Sequence, residues 1–158
     1  QGGATYTAVA GDVAIVTALS TTTFKVNLLA VATQNFADNI LQRANLKDCG
    51  IVTNAIGSIG GGTQDIDLTL GNSVSGTVDT SETTFTFSNP TASDELCIFT
   101  LVLVNGGSQT VNWPASVDWE GGTAPSLTAS GTDILVFCTI DGGTIWHGNT
   151  YSLDSKSP

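Results

Sequence analysis

Apolar and polar residues alternate with a period of two along much of this chain, the pattern of strands that bury one face and wet the other. Asp65-Ile66-Asp67-Leu68-Thr69-Leu70 alternates strictly, and Thr83-Thr84-Phe85-Thr86-Phe87 does so again before an Asn89-Pro90 turn. Between them Gly71-Asn72 predicts a turn into Val74-Ser75-Gly76-Thr77-Val78. Two runs break the alternation. Residues 96–104 are apolar at eight of nine positions, and residues 134–140 are nearly as apolar, so both predict central strands covered on both faces. Asn105-Gly106-Gly107 and Asp141-Gly142-Gly143 supply turns after them, and Thr144-Ile145-Trp146-His147 predicts a return strand. About eight short strands with glycine turns over residues 64–150 predict an all-β domain, a jelly-roll-like antiparallel β-sandwich, with a C-terminal tail at 151–158.

The chain before residue 64 has a different texture. Residues 1–31 predict a β-hairpin, in which the apolar run Val13-Ala14-Ile15-Val16-Thr17 and the alternating Phe24-Lys25-Val26-Asn27-Leu28 flank a Ser20-Thr21-Thr22 turn. Its plan parallels residues 131–146, which either reflects a common hairpin design or marks the last hairpin of an upstream domain of the same kind. Residues 32–63 are expected to be a linker or arm. Phe36, Ile40 and Leu41 at helical spacing, with Asn35 as cap, fit a short helix, and an extended arm fits as well. Glycines 57, 60, 61 and 62 predict a hinge that ends this segment and sets the domain boundary.

Composition sharpens the class. Charged residues are 11% of the chain, far below the usual quarter, while 24 Thr and 14 Ser fill polar positions and 18 Gly punctuate them. Residues 1–47 sum to +1 and residues 48–158 to −11, with no Lys or Arg between Lys47 and Lys156. Binding to a nucleic-acid backbone needs basic side chains to displace counterions, so no nucleic-acid role is expected. An anionic membrane surface would repel the same body, and no apolar run approaches the ~18 residues of a membrane span. Cys49, Cys97 and Cys138 lack metal-ligand spacing. Cys97 and Cys138 are expected as free thiols in a protein assembled in a reducing cytoplasm, with a bridge between neighbouring strands as the alternative. The chain holds no methionine and starts at Gln1, which is expected of a processed product or the C-terminal part of a longer polypeptide.

Few residues carry candidate chemistry, and neither a catalytic set, a metal site nor a cofactor site is expected. Asp65/Asp67 and Asp118/Glu120 are carboxylate pairs two apart on strands, close enough for acid–base work or Ca²⁺, but solvated strand faces are the expected reading. His147 is the only histidine, no Gly-x-Ser-x-Gly elbow supplies a nucleophile, and the glycine run at 60–62 lacks the Lys-Ser/Thr of a phosphate loop. The densest stretch is residues 111–125, which holds Trp113, Trp119, Pro114 and Pro125 between the two most apolar strands. Trp113 and Trp146 are expected to pack. Trp119, flanked by Asp118 and Glu120, is expected to be the residue that faces a glycan or protein partner.

Several segments together resemble the C-terminal β-domains of bacteriophage virion proteins, tail-fibre and head-decoration proteins of marine and cyanobacterial phages. They are residues 46–50 (LKDCG), 67–72 (DLTLGN), 85–90 (FTFSNP), 99–103 (FTLVL), 113–125, 133–135 (DIL) and 141–146 (DGGTIW), about two thirds of the chain. Family members often carry Tyr where this chain has Cys49 and His147. The resemblance implies a non-enzymatic structural protein of the virion surface, a homo-oligomer with the trimer favoured, in contact with other capsid or tail proteins. A carbohydrate-binding or host-receptor adhesion module using surface tryptophans is the alternative expectation.

Overall fold

A computed structural model describes residues 12–18, 24–30 and 47–156 of the chain, the first two segments by their backbone alone. The chain divides into two compact units, Gln1–Lys47 and Asp48–Pro158. In the first, β1 (Asp12–Ala18) and β2 (Phe24–Ala30) pair antiparallel, with Val13 opposite Leu29 and Val16 opposite Val26. The turn expected at residues 20–22 and the arm or helix expected at 32–46 lie outside the described residues.

The second unit is all-β. Its strands are β3 (Thr53–Ile59), β4 (Gly62–Asp67), β5 (Ser73–Val78), β6 (Thr83–Ser88), β7 (Ser93–Val104), β8 (Val111–Asn112), β9 (Val117–Trp119), β10 (Thr132–Asp141) and β11 (Trp146–Ser155). They form a six-stranded sheet in the order β3-β5-β7-β10-β11-β9 and a three-stranded sheet in the order β4-β6-β8.

The expectation of antiparallel strands needs correction. In this unit only β7 with β10 and β10 with β11 are antiparallel. The pairs β3/β5, β5/β7, β4/β6, β6/β8 and β9/β11 are parallel. A parallel neighbour requires a crossover, and for β3/β5, β5/β7, β4/β6 and β6/β8 the crossover is a strand of the other sheet, whereas β9 and β11 are joined through β10 of their own sheet. From β3 to β8 the chain therefore winds as a flattened helix of three coils, and β10 and β11 extend the larger sheet with antiparallel pairing. This is not the path of an antiparallel jelly roll.

Corners between the strands stack as well. The Gly61 N–H donates to the Glu82 carbonyl at 3.1 Å, the Thr83 N–H to Thr110 at 3.0 Å and the Thr100 N–H to Asn72 at 2.9 Å, one coil to the next. The expected glycine hinge at residues 56–63 is instead part of the first coil. Gly60 and Gly61, at φ of 153° and 83°, make the corner between β3 and β4, where a Cβ on Gly60 would run into the Ser81 backbone. The strand expected at 65–70 stops at Asp67, because Asp67 caps a 3-10 turn over Leu68–Leu70. At the other end β11 runs to Ser155, through residues expected to be a tail.

One apolar cluster fills the space between the sheets. Ile66, Phe85 and Phe87 from the small sheet meet Val74, Val78, Phe99, Leu101, Leu103, Leu135 and Phe137 from the large one. Phe87 stands edge-on to Phe99 and Phe137 at 5.0 and 5.1 Å, and Phe99 stacks on Phe137 at 4.9 Å. Such contacts add about 0.5–1.5 kcal/mol per pair beyond area burial.

The expectation that β7 and β10 are covered on both faces also needs correction. Alternate residues are buried, but Leu96 and Ile98 stay 62% and 45% exposed on one side, and Ile140 62%. Cys97 points into the core and Cys138 to the outer face. Both are free, since register puts Cys97 opposite Thr139 rather than Cys138.

Candidate functional site

Residues 111–125 pass from one sheet to the other. Val111 and Asn112 form β8 beside β6, and Val117–Trp119 form β9 at the far edge of the large sheet, parallel to Trp146–Gly148. Pro114 begins the turn between them, its carbonyl accepting from the Val117 N–H at 3.0 Å, and the Ser116 carbonyl accepts from the Trp146 N–H at 2.8 Å. The stretch thus closes one flank of the unit.

All three tryptophans belong to one aromatic network. Trp113 stacks on Phe85 at 5.3 Å and 18°. Trp119 meets Trp113 and Phe137 edge-on at 5.3 and 5.5 Å. Trp146, 1% exposed, packs on Phe87 and Phe99 at 5.4 Å each. Packing was the expected role of Trp113 and Trp146. Trp119 was expected to face outward, yet its ring lies on the backbone of Gly148, where an added Cβ would stand 2.8 Å from Cζ3, and it is only partly exposed.

Part of Trp119 remains at the surface. It lines a shallow cleft of about 130 Å³ with Glu120, Thr123, Pro125, Gly148, Asn149 and Thr150. Pockets that bury a small molecule are typically ~300–1,000 Å³, so this cleft can contact the edge of a ligand but not enclose it. Glu120 joins Trp119 there, whereas Asp118 does not. Asp118 is instead the register partner of His147 on the exposed edge of the sheet, and both are exposed.

Several of the remaining carboxylates hold corners and ladders together. Asp65 accepts from the hydroxyls of Thr86 and Ser88 at 2.7 and 2.5 Å. Asp67 accepts from Asn89 Nδ2 at 2.9 Å and from the Thr69 hydroxyl and N–H at 2.7 and 2.9 Å, and these bonds, Asn89's first, hold its carboxyl below the usual value. Asp79 is lowered in the same way by Ser58 and Thr80, and Asp141 by the Ile145 N–H and the Thr139 hydroxyl. Asn112 Nδ2 donates to Glu82 at 2.7 Å. The pair Asp65/Asp67 shares a face, as spacing predicted, but each carboxylate is bound to hydroxyls and amides of its own neighbourhood. Among the described residues no three His, Cys, Asp or Glu side chains come together as a metal-binding group.

Asp133 escaped the sequence reading. It is fully buried at the inner face of β10, where Oδ2 accepts from the Thr128 N–H at 2.6 Å and Oδ1 from the Thr128 hydroxyl at 2.7 Å and the Asp154 N–H at 3.0 Å. The only signal in the sequence is one carboxylate opening an apolar run, Asp133-Ile134-Leu135-Val136-Phe137. The chain matches no protein-family model, no curated protein and no solved structure.

Proposed function

We propose that this chain is a non-enzymatic structural protein of a bacteriophage virion surface, of tail-fibre or capsid-decoration type, oligomeric and in contact with other capsid or tail proteins. The observation that carries the proposal is how its polar residues are used. Carboxylates and hydroxyls on the coils bond to one another across neighbouring strands, as Asp65 does with Thr86 and Ser88, rather than converging on a concave pocket. A flattened parallel coil with a dry core and a hydroxyl-rich exterior suits a rigid projecting module, and the strongly acidic surface suits solubility at high particle density. The family resemblance supplies the phage context.

Copy number per particle tests the proposal. Quantitative mass spectrometry of purified virions is expected to find tens of copies for a fibre or hundreds for a decoration protein. Absence from purified particles refutes it.

The cleft at Trp119 supports a second reading, adhesion to a host surface glycan. An indole edge, a proline ring, a carboxylate, an amide and two hydroxyls are the groups that meet a sugar ring. A glycan array with wild type and Trp119→Ala decides it: a glycan bound by wild type and lost in the variant supports adhesion, and no binding by wild type ends it.

A further inference from the structure

The outer face of β7 and β10 has no partner within the described residues of the second unit. Their antiparallel register places Ile98 opposite Cys138, Thr100 opposite Val136, Val102 opposite Ile134 and Val104 opposite Thr132. With Leu96 and Ile140 at one end, eight apolar side chains form a continuous two-strand face carrying no charged group. Its lateral neighbours are uncharged on β5, where Ser73 and Ser75 stand next to Thr100 and Val102. On the β11 side the neighbours are Asn149, Ser152 and His147. Acidic residues stand at its margins: Asp94 and Glu95 begin β7 and Asp141 ends β10, while Asp118, the register partner of His147, lies on the β9 edge beyond β11.

We infer that this face is the surface on which copies of the chain associate. The inference rests on the oligomeric part of the proposed function and assigns it a location. Charge decides the occupant. From Asp48 onward the chain carries twelve acids against Lys156, so two copies repel wherever their carboxylates approach. The β7–β10 face lets two copies meet with apolar side chains and place their acids outside the contact. A basic partner, by contrast, would be drawn to the carboxylates of the corners and would find nothing to pair with here. The two central strands are already hydrogen-bonded on both sides, so association is face to face and does not add strands to the sheet.

Salt dependence separates the two kinds of contact. Self-association through an uncharged face of an acidic protein strengthens with salt, because repulsion is screened within about 8 Å at physiological ionic strength while apolar contact persists. Binding driven by opposite charge weakens.

The test uses the full chain with Cys49→Ser, which leaves Cys138 as the thiol at this face and Cys97 buried in the core. Molar mass is measured by light scattering at low and high salt for this protein and for Ile98→Asp, Val136→Asp and the milder Val136→Ser, with circular dichroism to verify folding. Cys138 reactivity toward a maleimide is followed in parallel. The expected result is an oligomer favoured by salt, dissociated by either aspartate, weakened by the serine, and with Cys138 reacting at least ten times faster in the dissociated variants. An oligomer that survives both aspartates in folded protein overturns this location and leaves the oligomeric reading standing. A monomeric parent with reactive Cys138 overturns both. A monomeric parent with shielded Cys138 also overturns self-association, since the cover then comes from the same chain.

Discussion

Replacing Asp133 with alanine is expected to destabilise the second unit by about 3–5 kcal/mol. The carboxylate is wholly enclosed and accepts three bonds, from the Thr128 N–H, the Thr128 hydroxyl and the Asp154 N–H. Removing it leaves two backbone donors and a hydroxyl without their partner, at ~1–3 kcal/mol for each group that stays unsatisfied. Relief from burying a charge offsets part of that total. The three bonds also tie distant pieces together. Thr128 belongs to the loop whose carbonyl accepts from the Gly107 N–H at 3.0 Å, while Asp154 is near the end of β11. Losing Asp133 frees both from β10.

Asp133→Asn keeps the shape and tests the reasoning more sharply. With its oxygen in the Oδ1 position the amide still accepts from Thr128 Oγ1 and the Asp154 N–H, but its NH₂ then faces the Thr128 N–H donor. The expected cost is about 1–3 kcal/mol, between wild type and alanine. Urea denaturation measures both; with a slope of ~1–3 kcal/mol per molar, the alanine variant shifts its midpoint by roughly 1–5 M. An alanine variant within about 1 kcal/mol of wild type, or an asparagine variant as damaged as alanine, refutes the account.

Three further expectations follow from the packing and the surface. Phe99→Ala removes a ring in contact with Phe87, Phe137 and Trp146, and is expected to cost about 3–5 kcal/mol by urea denaturation with loss of near-ultraviolet dichroism. Gly148→Ala puts a methyl 2.8 Å from Trp119 Cζ3 and 3.0 Å from Val117 Cγ1, so Trp119 must move outward; a red-shifted tryptophan emission and a loss of about 1–3 kcal/mol are expected, and an unchanged spectrum refutes the packing of that ring. Asp67, Asp79 and Asp141 have folded pKa values below their usual 3.8, so the stability they contribute is present above about pH 4 and is lost as pH falls through their lower folded values; urea midpoints measured from pH 6 to pH 2.5 are expected to hold and then drop, with a smaller drop in Asp67→Asn.

Local alternation made the strand content legible, and the winding was not. Residues such as Thr83-Thr84-Phe85-Thr86-Phe87 show which face of a strand is dry whether its neighbour is parallel or antiparallel, so the pattern alone leaves direction open. Coil winding could have appeared as an internal repeat, but partners are 19–21 residues apart between the first two coils and 27–28 between the next two. The longer β7 and the 3-10 turn that follows it break the period. Glycines misled for a related reason: Gly60 and Gly61 permit a tight corner between packed strands as readily as a flexible hinge. At the candidate site, Trp113 was readable because it continues the apolar phase of Val111. Trp119 was not, since its support is Gly148, a residue 29 positions away whose missing side chain makes room for the ring.

The two ends of the coil stack differ in a way that bears on the proposed association of copies. At one end β10 and β11 continue the large sheet past β7, while at the other β3 and β4 are both edge strands of their sheets. Exposed edges invite pairing by another chain, and proteins blunt them with bulges and charges. Both devices occur here. The register of β3 against β5 slips between Ala55 and Gly57, so the outer strand is bulged, and β4 carries Asp65 and Asp67. An edge treated in this way resists strand addition, particularly by another copy with the same carboxylates. The apolar β7–β10 face has no such protection at its centre, and its aliphatic side chains gain stability when water leaves them, at ~25 cal/mol per Å² of apolar surface buried. Blocking devices at the edge and their absence from the face agree with the proposed mode of association, sheet against sheet.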